Sequence, residues 1–222
     1  MNNATEMLYT NHQEACKYIN ELHGLSDHEI IFIFVGRLTT LKNILFIADA
    51  IAIVKELRPD LKFKMLYVGS GQNESKLRRK INKLNINDKV ILCGKVTDRD
   101  ILAKYYSRAD LMLFPSVYDS SSIVQIEAAS QKTPVLFLEN TATSCMIEDN
   151  FNGFLSKFDA HAYANRILEI IANKELYNSV CENAFNTLYK TWDTAVEEVF
   201  DLYKTIIAKH KSHTESENLL IK

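Results

Sequence analysis

The sequence predicts an α/β domain with a doubly wound parallel sheet and a helical C-terminus. Short apolar runs that end in Gly or Pro alternate with segments whose apolar residues recur every three to four positions. This alternation is typical of β-α-β units. The apolar runs are continuous, as in strands buried on both faces of a parallel sheet. The 222 residues, of which 47% are hydrophobic, suffice for one domain with a sizeable core.

The apolar runs predict six strands joined by helices. We expect them at residues 30–35, 63–68, 89–93, 109–114 and 134–138, with a short last strand near 153–155. Helical spacing that ends at Gly24 predicts a leading helix and linker over residues 1–25. The sheet domain then covers 26–190, and a C-terminal helix covers 191–222. The end of that helix, 209–222, is polar and lacks periodicity, so we expect it to fray.

Composition and charge exclude several classes of function. A net charge of −2 provides no basic field for nucleic acid. The four cysteines lie far apart without a CxxC pair, which argues against structural zinc and favours a reducing cytoplasm. No stretch resembles a signal peptide or a transmembrane helix. We therefore expect a cytoplasmic protein with no nucleic-acid partner.

Two cations straddle the turn after the first predicted strand. Arg37 follows Gly36 at the strand end, and Lys42 falls in the expected first turn of the next helix. A cation there opposes the helix dipole. An anion held by Arg37, Lys42 and free N–H groups resolves the conflict, and two unrelated surface cations are the alternative. The glycine-rich turn at 68–71 is weak evidence for phosphate binding and favours a simple tight turn.

A second polar segment follows the fourth predicted strand. It carries Asp119, a run of serines able to cap the next helix, and Glu127 among the apolar residues of that helix. A buried carboxylate is costly without a partner, and both a protein cation and a hydroxyl-bearing ligand would serve Glu127. Because ligands of such sheets bind at the carboxyl ends of the strands, both segments are expected at one ligand-binding edge.

These motifs together resemble the C-terminal donor-binding domain of retaining glycosyltransferases with the GT-B fold, in glycosyltransferase family 4. Each motif is weak alone, but all occur in the family's order between residues 30 and 205. They are Gly36-Arg37-Leu38, Lys42, Val68-Gly69-Ser70-Gly71, Gly94, Ala109-Asp110, Pro115-Ser116, Asp119 with Glu127, Pro134-Val135 and Asn152-Gly153-Phe154.

The resemblance implies a role for each candidate residue. Arg37 and Lys42 would hold the donor diphosphate, Asp119 the sugar hydroxyls and Glu127 the nucleotide ribose. Arg37, Lys42 and Asp119 are thus the candidate catalytic residues. The base would be held by main chain near Gly94 and Lys95, and sugar and phosphate by backbone N–H groups of the serine segment. The candidate donor-binding residues are Gly36, Gly94, Lys95, Ser121, Ser122, Ile123 and Glu127.

Two departures from the family pattern affect the sugar pocket. Asp119 stands where the family usually has Glu, and residues 120–122 are serines instead of Gly-Phe-Gly. Asp98-Arg99-Asp100 looks like the DxD metal motif of the other major glycosyltransferase fold. It lies at an expected helix N-terminus, where acids favour the dipole, so no metal is expected.

The resemblance implies transfer of a sugar, with retention, from a nucleotide diphosphate sugar to a bacterial envelope glycan or lipid. UDP is the expected nucleotide. Since the chain has the length of one of two domains, we expect an N-terminal acceptor-binding domain to be missing and the chain alone to be inactive. The full enzyme is expected in the cytoplasm, associated peripherally with the inner face of the membrane. The alternatives are a phosphorylase-like or epimerase-like enzyme and a non-catalytic regulatory or assembly partner.

Overall fold

Six parallel strands form one sheet in the order β3-β2-β1-β4-β5-β6. The computed structural model describes residues 4–119 and 123–220, with side chains up to Ile207. The doubly wound parallel fold is confirmed, and every strand begins within two residues of its predicted start. The strands are β1 Ile30–Val35, β2 Phe63–Val68, β3 Val90–Gly94, β4 Leu111–Phe114, β5 Val135–Leu138 and β6 Phe154–Ser156.

Helices cover both faces of the sheet and continue beyond it at the C-terminus. Two of their ends follow directly from local sequence. Gly24 ends the first helix with φ 63°, a left-handed conformation that glycine adopts without steric cost. Asp98 caps the fourth helix by accepting from two backbone N–H groups. The helices are α1 His12–His23, α2 Ile44–Leu57, α3 Glu74–Lys83, α4 Arg99–Arg108, α5 Ile123–Ser130, α6 Ala160–Ala172, α7 Lys174–Leu188 and α8 Trp192–Leu220.

The core is centred on β1, which lies between β2 and β4 in the middle of the sheet. Its residues from Ile31 to Phe34 are completely buried because helices cover both faces. The ring of Phe34 stacks on that of Phe114 at a centroid distance of 6.0 Å. This contact joins β1 to β4 directly beneath the turns that carry the candidate residues.

α8 extends through Leu220, and fraying of its polar end, 209–222, stays a prediction. One sequence-based prediction about a helix boundary is wrong. α2 begins at Ile44 and not near Leu41, because Asn43 takes a left-handed conformation with φ 52°. The side chain of Asn43 donates to the Pro115 carbonyl at 2.8 Å and so ties this turn to the loop after β4.

None of the helices in the described part of the chain combines the length and apolar character needed to cross a membrane.

Candidate functional site

The candidate site lies at the carboxyl edge of the sheet, where β1 and β4 are neighbours. From β1 the chain continues to β2 and β3 on one side, and from β4 to β5 and β6 on the other. Connections that diverge in this way leave a crevice above the strand ends. Arg37 and Lys42 follow β1, and Asp119 follows β4. The fold thus brings together the two segments that the sequence predicted to share an edge.

The turns after β1 and β2 pack backbone against backbone. The Leu38 N–H donates to the Ser70 carbonyl at 3.0 Å. A Cβ atom on Gly69 would lie 1.9 Å from the carbonyl oxygen of Gly36, and one on Gly71 would lie 2.5 Å from that of Leu38. The glycines therefore permit a close approach of two turns. This packing supports the interpretation of the glycine-rich segment as a tight turn.

Lys42 and Asp119 form an ion pair across the crevice. The Nζ of Lys42 donates to Oδ2 of Asp119, although 77 positions separate them in the sequence. The same carboxylate oxygen accepts from Ser116 Oγ at 2.7 Å, and the Lys42 ammonium lies 5.2 Å from the ring centroid of Phe114. The cation predicted for the diphosphate and the acid predicted for the sugar are thus each other's partners in this structure.

The position of Lys42 corrects the argument from the helix dipole. Lys42 ends a 3₁₀ turn, Thr40–Lys42, which precedes α2, so it does not stand in the first turn of that helix. Its charge is balanced by Asp119 and not by an anion at a helix N-terminus. The side chains of the pair are 18% and 29% exposed, so both are partly accessible to solvent.

Asp119 is ionised at neutral pH. Burial raises the pKa of Asp119. Hydrogen bonds from Lys42 and Ser116, together with the charges of Lys42 and Arg37, lower it by more, so the pKa lies below its ordinary value. A carboxyl whose pKa is depressed by folding stabilises the native state above the pKa of the unfolded chain. That contribution is lost as the pH falls through the folded pKa.

The variant Asp119→Asn should therefore differ from wild type in a pH-dependent way. We expect it to be less stable by a constant amount above about pH 5, and the difference to shrink below about pH 4 as the wild-type carboxyl protonates. Thermal melts between pH 7 and pH 3 measure this. Asp201→Asn is the control, because Asp201 is 74% exposed in a pair on α8. A stability difference that stays the same down to pH 3 would contradict the assignment of the ion pair.

A cleft of about 350 Å³ opens beside the turn after β1. Valine and leucine side chains form its walls, and Arg37 and Lys95, both exposed, contribute cations. Gly36 lines it as well, and the Gly94 carbonyl beneath it accepts from the Gly69 N–H at 2.7 Å. Apolar walls with adjacent cations suit a ligand that has a flat apolar part and a negatively charged part.

Glu127 is 2% exposed on α5 and has protein partners. Its Oε1 lies 2.7 Å from Nη2 of Arg99, and its Oε2 accepts from the Tyr106 hydroxyl at 3.0 Å. Burial is the main cause that raises the pKa of Tyr106 well above its ordinary value, and the negative charge of Glu127 is the next largest. Tyr106 therefore keeps its proton and donates. Of the two alternatives that the sequence left open for Glu127, the structure contains the protein cation, Arg99. A contact with ribose stays a prediction.

The remaining candidate residues have simpler settings. Ile123 is the first residue of α5 and is 41% exposed. Ser121 and Ser122 lie outside the described residues, so their roles stay predictions. Asp98 uses its carboxylate as a helix cap, which gives the DxD-like triplet a structural explanation. Among the side chains of residues 4–119 and 123–207, no cluster of three or more His, Cys, Asp or Glu could hold a metal ion.

Sequence reasoning missed Arg99 and Tyr106 as parts of this arrangement, and it named Ser116 only as part of the Pro115-Ser116 motif. A signal existed for Arg99, since it is a cation in the first turn of α4, where the helix dipole disfavours positive charge. Tyr106 gave no local signal, because its role depends on which element packs beside it.

The family model described as "Glycosyl transferases group 1" matches residues 19–187. This stretch is more than half of the chain and contains all six strands and both turns of the candidate site. The chain belongs to this family.

Relatives of this glycosyl transferases group 1 chain include named bacterial enzymes. UDP-Gal:alpha-D-GlcNAc-diphosphoundecaprenol alpha-1,3-galactosyltransferase of Escherichia coli is 26% identical over 185 residues, which cover 81% of this chain and 46% of the relative. N-acetyl-alpha-D-glucosaminyl L-malate synthase of Bacillus anthracis is 24% identical, over 83% of this chain and 46% of the relative. The chain spans about half the length of the curated relatives it matches.

Solved structures of glycosyltransferases have the same fold. The C-terminal domain of a glycosyl transferase group 1 family protein from Francisella tularensis matches with a TM-score of 0.69 and 18% identity, over 83% of this chain and 95% of that domain. Sucrose-phosphate synthase from Thermosynechococcus elongatus matches with a TM-score of 0.76 and 26% identity, over 94% of this chain and 52% of that one. HepE from Anabaena, solved with UDP-glucose, has a TM-score of 0.75 and 17% identity, over 93% and 56% of the two chains. The fold is therefore the C-terminal Rossmann-like half of GT-B glycosyltransferases.

Proposed function

We propose that this chain is the donor-binding domain of a retaining glycosyltransferase that takes its sugar from a nucleotide diphosphate sugar. One observation carries the proposal. The carboxyl ends of β1, β2 and β3 form a cleft with apolar walls, which Arg37 and Lys95 line. The Lys42–Asp119 pair is close enough to Arg37 for the Arg37 charge to lower the pKa of Asp119. Apolar walls suit a base, and clustered cations suit a diphosphate.

The roles of the residues follow from the charge that develops during transfer. As the glycosidic bond breaks, negative charge grows on the diphosphate, and preorganised cations at Arg37 and Lys42 stabilise it. Because the Lys42 ammonium pairs with Asp119, the diphosphate competes with that carboxylate for Lys42. Asp119 then turns to the sugar hydroxyls. In this scheme the donor breaks one ion pair and gains two cationic contacts, and no metal is required.

UDP is the nucleotide that the relatives favour. The name of the Escherichia coli relative specifies UDP-Gal, and HepE from Anabaena was solved with UDP-glucose. The name of the Escherichia coli relative specifies a diphosphoundecaprenol-linked sugar as the acceptor. Another relative, alpha-monoglucosyldiacylglycerol synthase of Streptococcus pneumoniae, is named for a glycolipid. We infer a bacterial envelope glycan or lipid acceptor, handled in the cytoplasm at the inner face of the membrane.

Acceptor binding is proposed to need a second domain outside these 222 residues. The chain spans about half of its relatives, and the Francisella tularensis structure that it matches over 95% of its length is a C-terminal domain. α8 adds a physical argument, because it carries large apolar side chains that are 42% to 62% exposed. A row of exposed apolar side chains along one helix indicates that this helix packs against another protein surface. The members of this row at helical spacing are Trp192, Val196, Phe200, Tyr203 and Ile207.

Calorimetric titration with UDP, GDP and ADP tests donor binding, and a transfer assay with a UDP-sugar tests the need for a second domain. We expect UDP to bind in preference to the other two nucleotides and the chain alone to transfer no sugar. Binding of none of the three nucleotides would favour the alternative of a non-catalytic regulatory or assembly partner. Robust sugar transfer by the chain alone would contradict the need for a second domain.

A further inference from the structure

In the part of the chain that the structure describes, the buried carboxylate of Glu127 pairs with one cation, Arg99. Glu127 is 2% exposed, and the Arg99 guanidinium lies 2.7 Å from its Oε1. The Tyr106 hydroxyl donates to the other oxygen but carries no charge. A carboxylate buried this deeply is costly unless both oxygens have partners, and Arg99 supplies the partner of Oε1.

Arg99 has features of a partner that can leave. Its side chain is 47% exposed, although that of Glu127 is only 3% exposed. It follows the cap residue Asp98 at the start of α4, where the helix dipole disfavours a positive charge. Its other contact is a long one, 3.4 Å from Nη2 to the Thr5 hydroxyl. Releasing Arg99 from Glu127 therefore moves its guanidinium into water and breaks one strong contact.

We propose that Arg99 is a positioning residue that is exchanged for ribose hydroxyls when the donor binds, and that this exchange favours ribonucleotides over 2′-deoxyribonucleotides. The inference rests on the proposed function, in which Glu127 binds ribose. Two vicinal hydroxyls supply two donors and replace the guanidinium at the carboxylate. A 2′-deoxyribose supplies only one and replaces it poorly, since a buried acceptor left unsatisfied is costly.

Tyr106 keeps the carboxylate in place during the exchange. It is completely buried, and its raised pKa means that its hydroxyl stays protonated and continues to donate to Oε2. Only Oε1 changes its partner. The Glu127 carboxylate therefore does not have to reorient, and at this carboxylate the exchange is confined to Arg99.

The test compares UDP and 2′-deoxy-UDP binding to wild type, Arg99→Ala and Arg99→Lys by calorimetry. In Arg99→Ala no cation competes for Glu127, so we expect UDP to bind about threefold to tenfold more tightly, the size of one charge-assisted contact. The affinity for 2′-deoxy-UDP should change less, so the ratio of the two dissociation constants should rise. Arg99→Lys retains the charge and should restore the wild-type ratio. Arg79→Ala, a change of an exposed arginine on α3, is the matched control and should leave both affinities unchanged.

Two outcomes overturn the exchange. Weaker UDP binding by Arg99→Ala would mean that Arg99 only supports the site structurally, and an unchanged ratio of the two dissociation constants would mean that it does not compete with ribose. Either result leaves the proposed function standing if wild type binds UDP. Failure of wild type to bind any nucleoside diphosphate would remove the proposed function and the exchange together. Thermal melts of each variant separate loss of folding from loss of binding.

Discussion

Replacing Arg37 with alanine is expected to weaken UDP binding by about 10- to 100-fold, the loss of one or two charge-assisted contacts to a diphosphate. Arg37 is exposed and lines the cleft at the end of β1. Unlike Lys42, whose ammonium Asp119 already neutralises, Arg37 offers its charge to the cleft without first breaking that ion pair. Its side chain is also outside the core, so its removal should not affect folding.

Calorimetry with UDP measures this effect, and UMP gives a second reading. UMP lacks the β-phosphate, so we expect it to bind more weakly than UDP. We also expect the Arg37→Ala change to reduce the affinity for UMP less than the affinity for UDP. Arg79→Ala controls for a general loss of positive charge, since Arg79 is exposed on α3. An unchanged affinity of Arg37→Ala for UDP, with the fold intact by circular dichroism, would contradict the assignment of Arg37 to the diphosphate site.

Replacing Gly69 with alanine is expected to destabilise the fold by about 3 kcal/mol or more, through a steric clash and backbone strain together. A Cβ at this position would lie 1.9 Å from the carbonyl oxygen of Gly36, which belongs to rigid backbone and not to a movable side chain. Gly69 also has φ 144°, a conformation that residues with a Cβ rarely adopt. The turns after β1 and β2 must separate to accept the methyl group, which distorts one wall of the cleft.

Thermal and denaturant unfolding measure the effect, and about 3 kcal/mol corresponds to a fall in Tm of roughly 6 to 12 °C for a chain of this size. Gly24→Ala is the matched control. Gly24 also has a positive φ, 63°, but nothing lies within 4 Å of the added Cβ, so only backbone strain of about 1 kcal/mol is expected. Equal destabilisation by the two variants would mean that the contact between Gly36 and Gly69 does not limit this turn.

If the turns do separate, UDP affinity should fall in Gly69→Ala even below its melting temperature. Gly36 and Gly69 both line the cleft, and the Gly69 N–H is bonded to the Gly94 carbonyl beneath it. The cleft is therefore shaped by backbone packing between three strand ends. The cations act on a ligand only because this backbone holds them at its edge.

The sequence by itself determined the class of fold, the strand positions and the segments that meet at the site. These depend on local pattern: apolar runs such as β1 identify buried strands, Gly24 ends a helix, and Asp98 begins one. The rule that parallel strands share a carboxyl edge then placed Arg37 and Asp119 on the same side of the sheet. The family resemblance, carried by short motifs in order, added the expected roles of these residues.

Only the tertiary structure decided which charged groups are partners. Lys42 pairs with Asp119 across 77 positions, Glu127 pairs with Arg99 on another helix, and Gly69 is required by a carbonyl from a different turn. No local pattern encodes these contacts, because the partner of a side chain depends on which strand ends and helices the topology brings within a few ångströms. The physical reason is that periodicity reports which residues are buried, whereas electrostatic and steric partners are fixed when separate elements pack together.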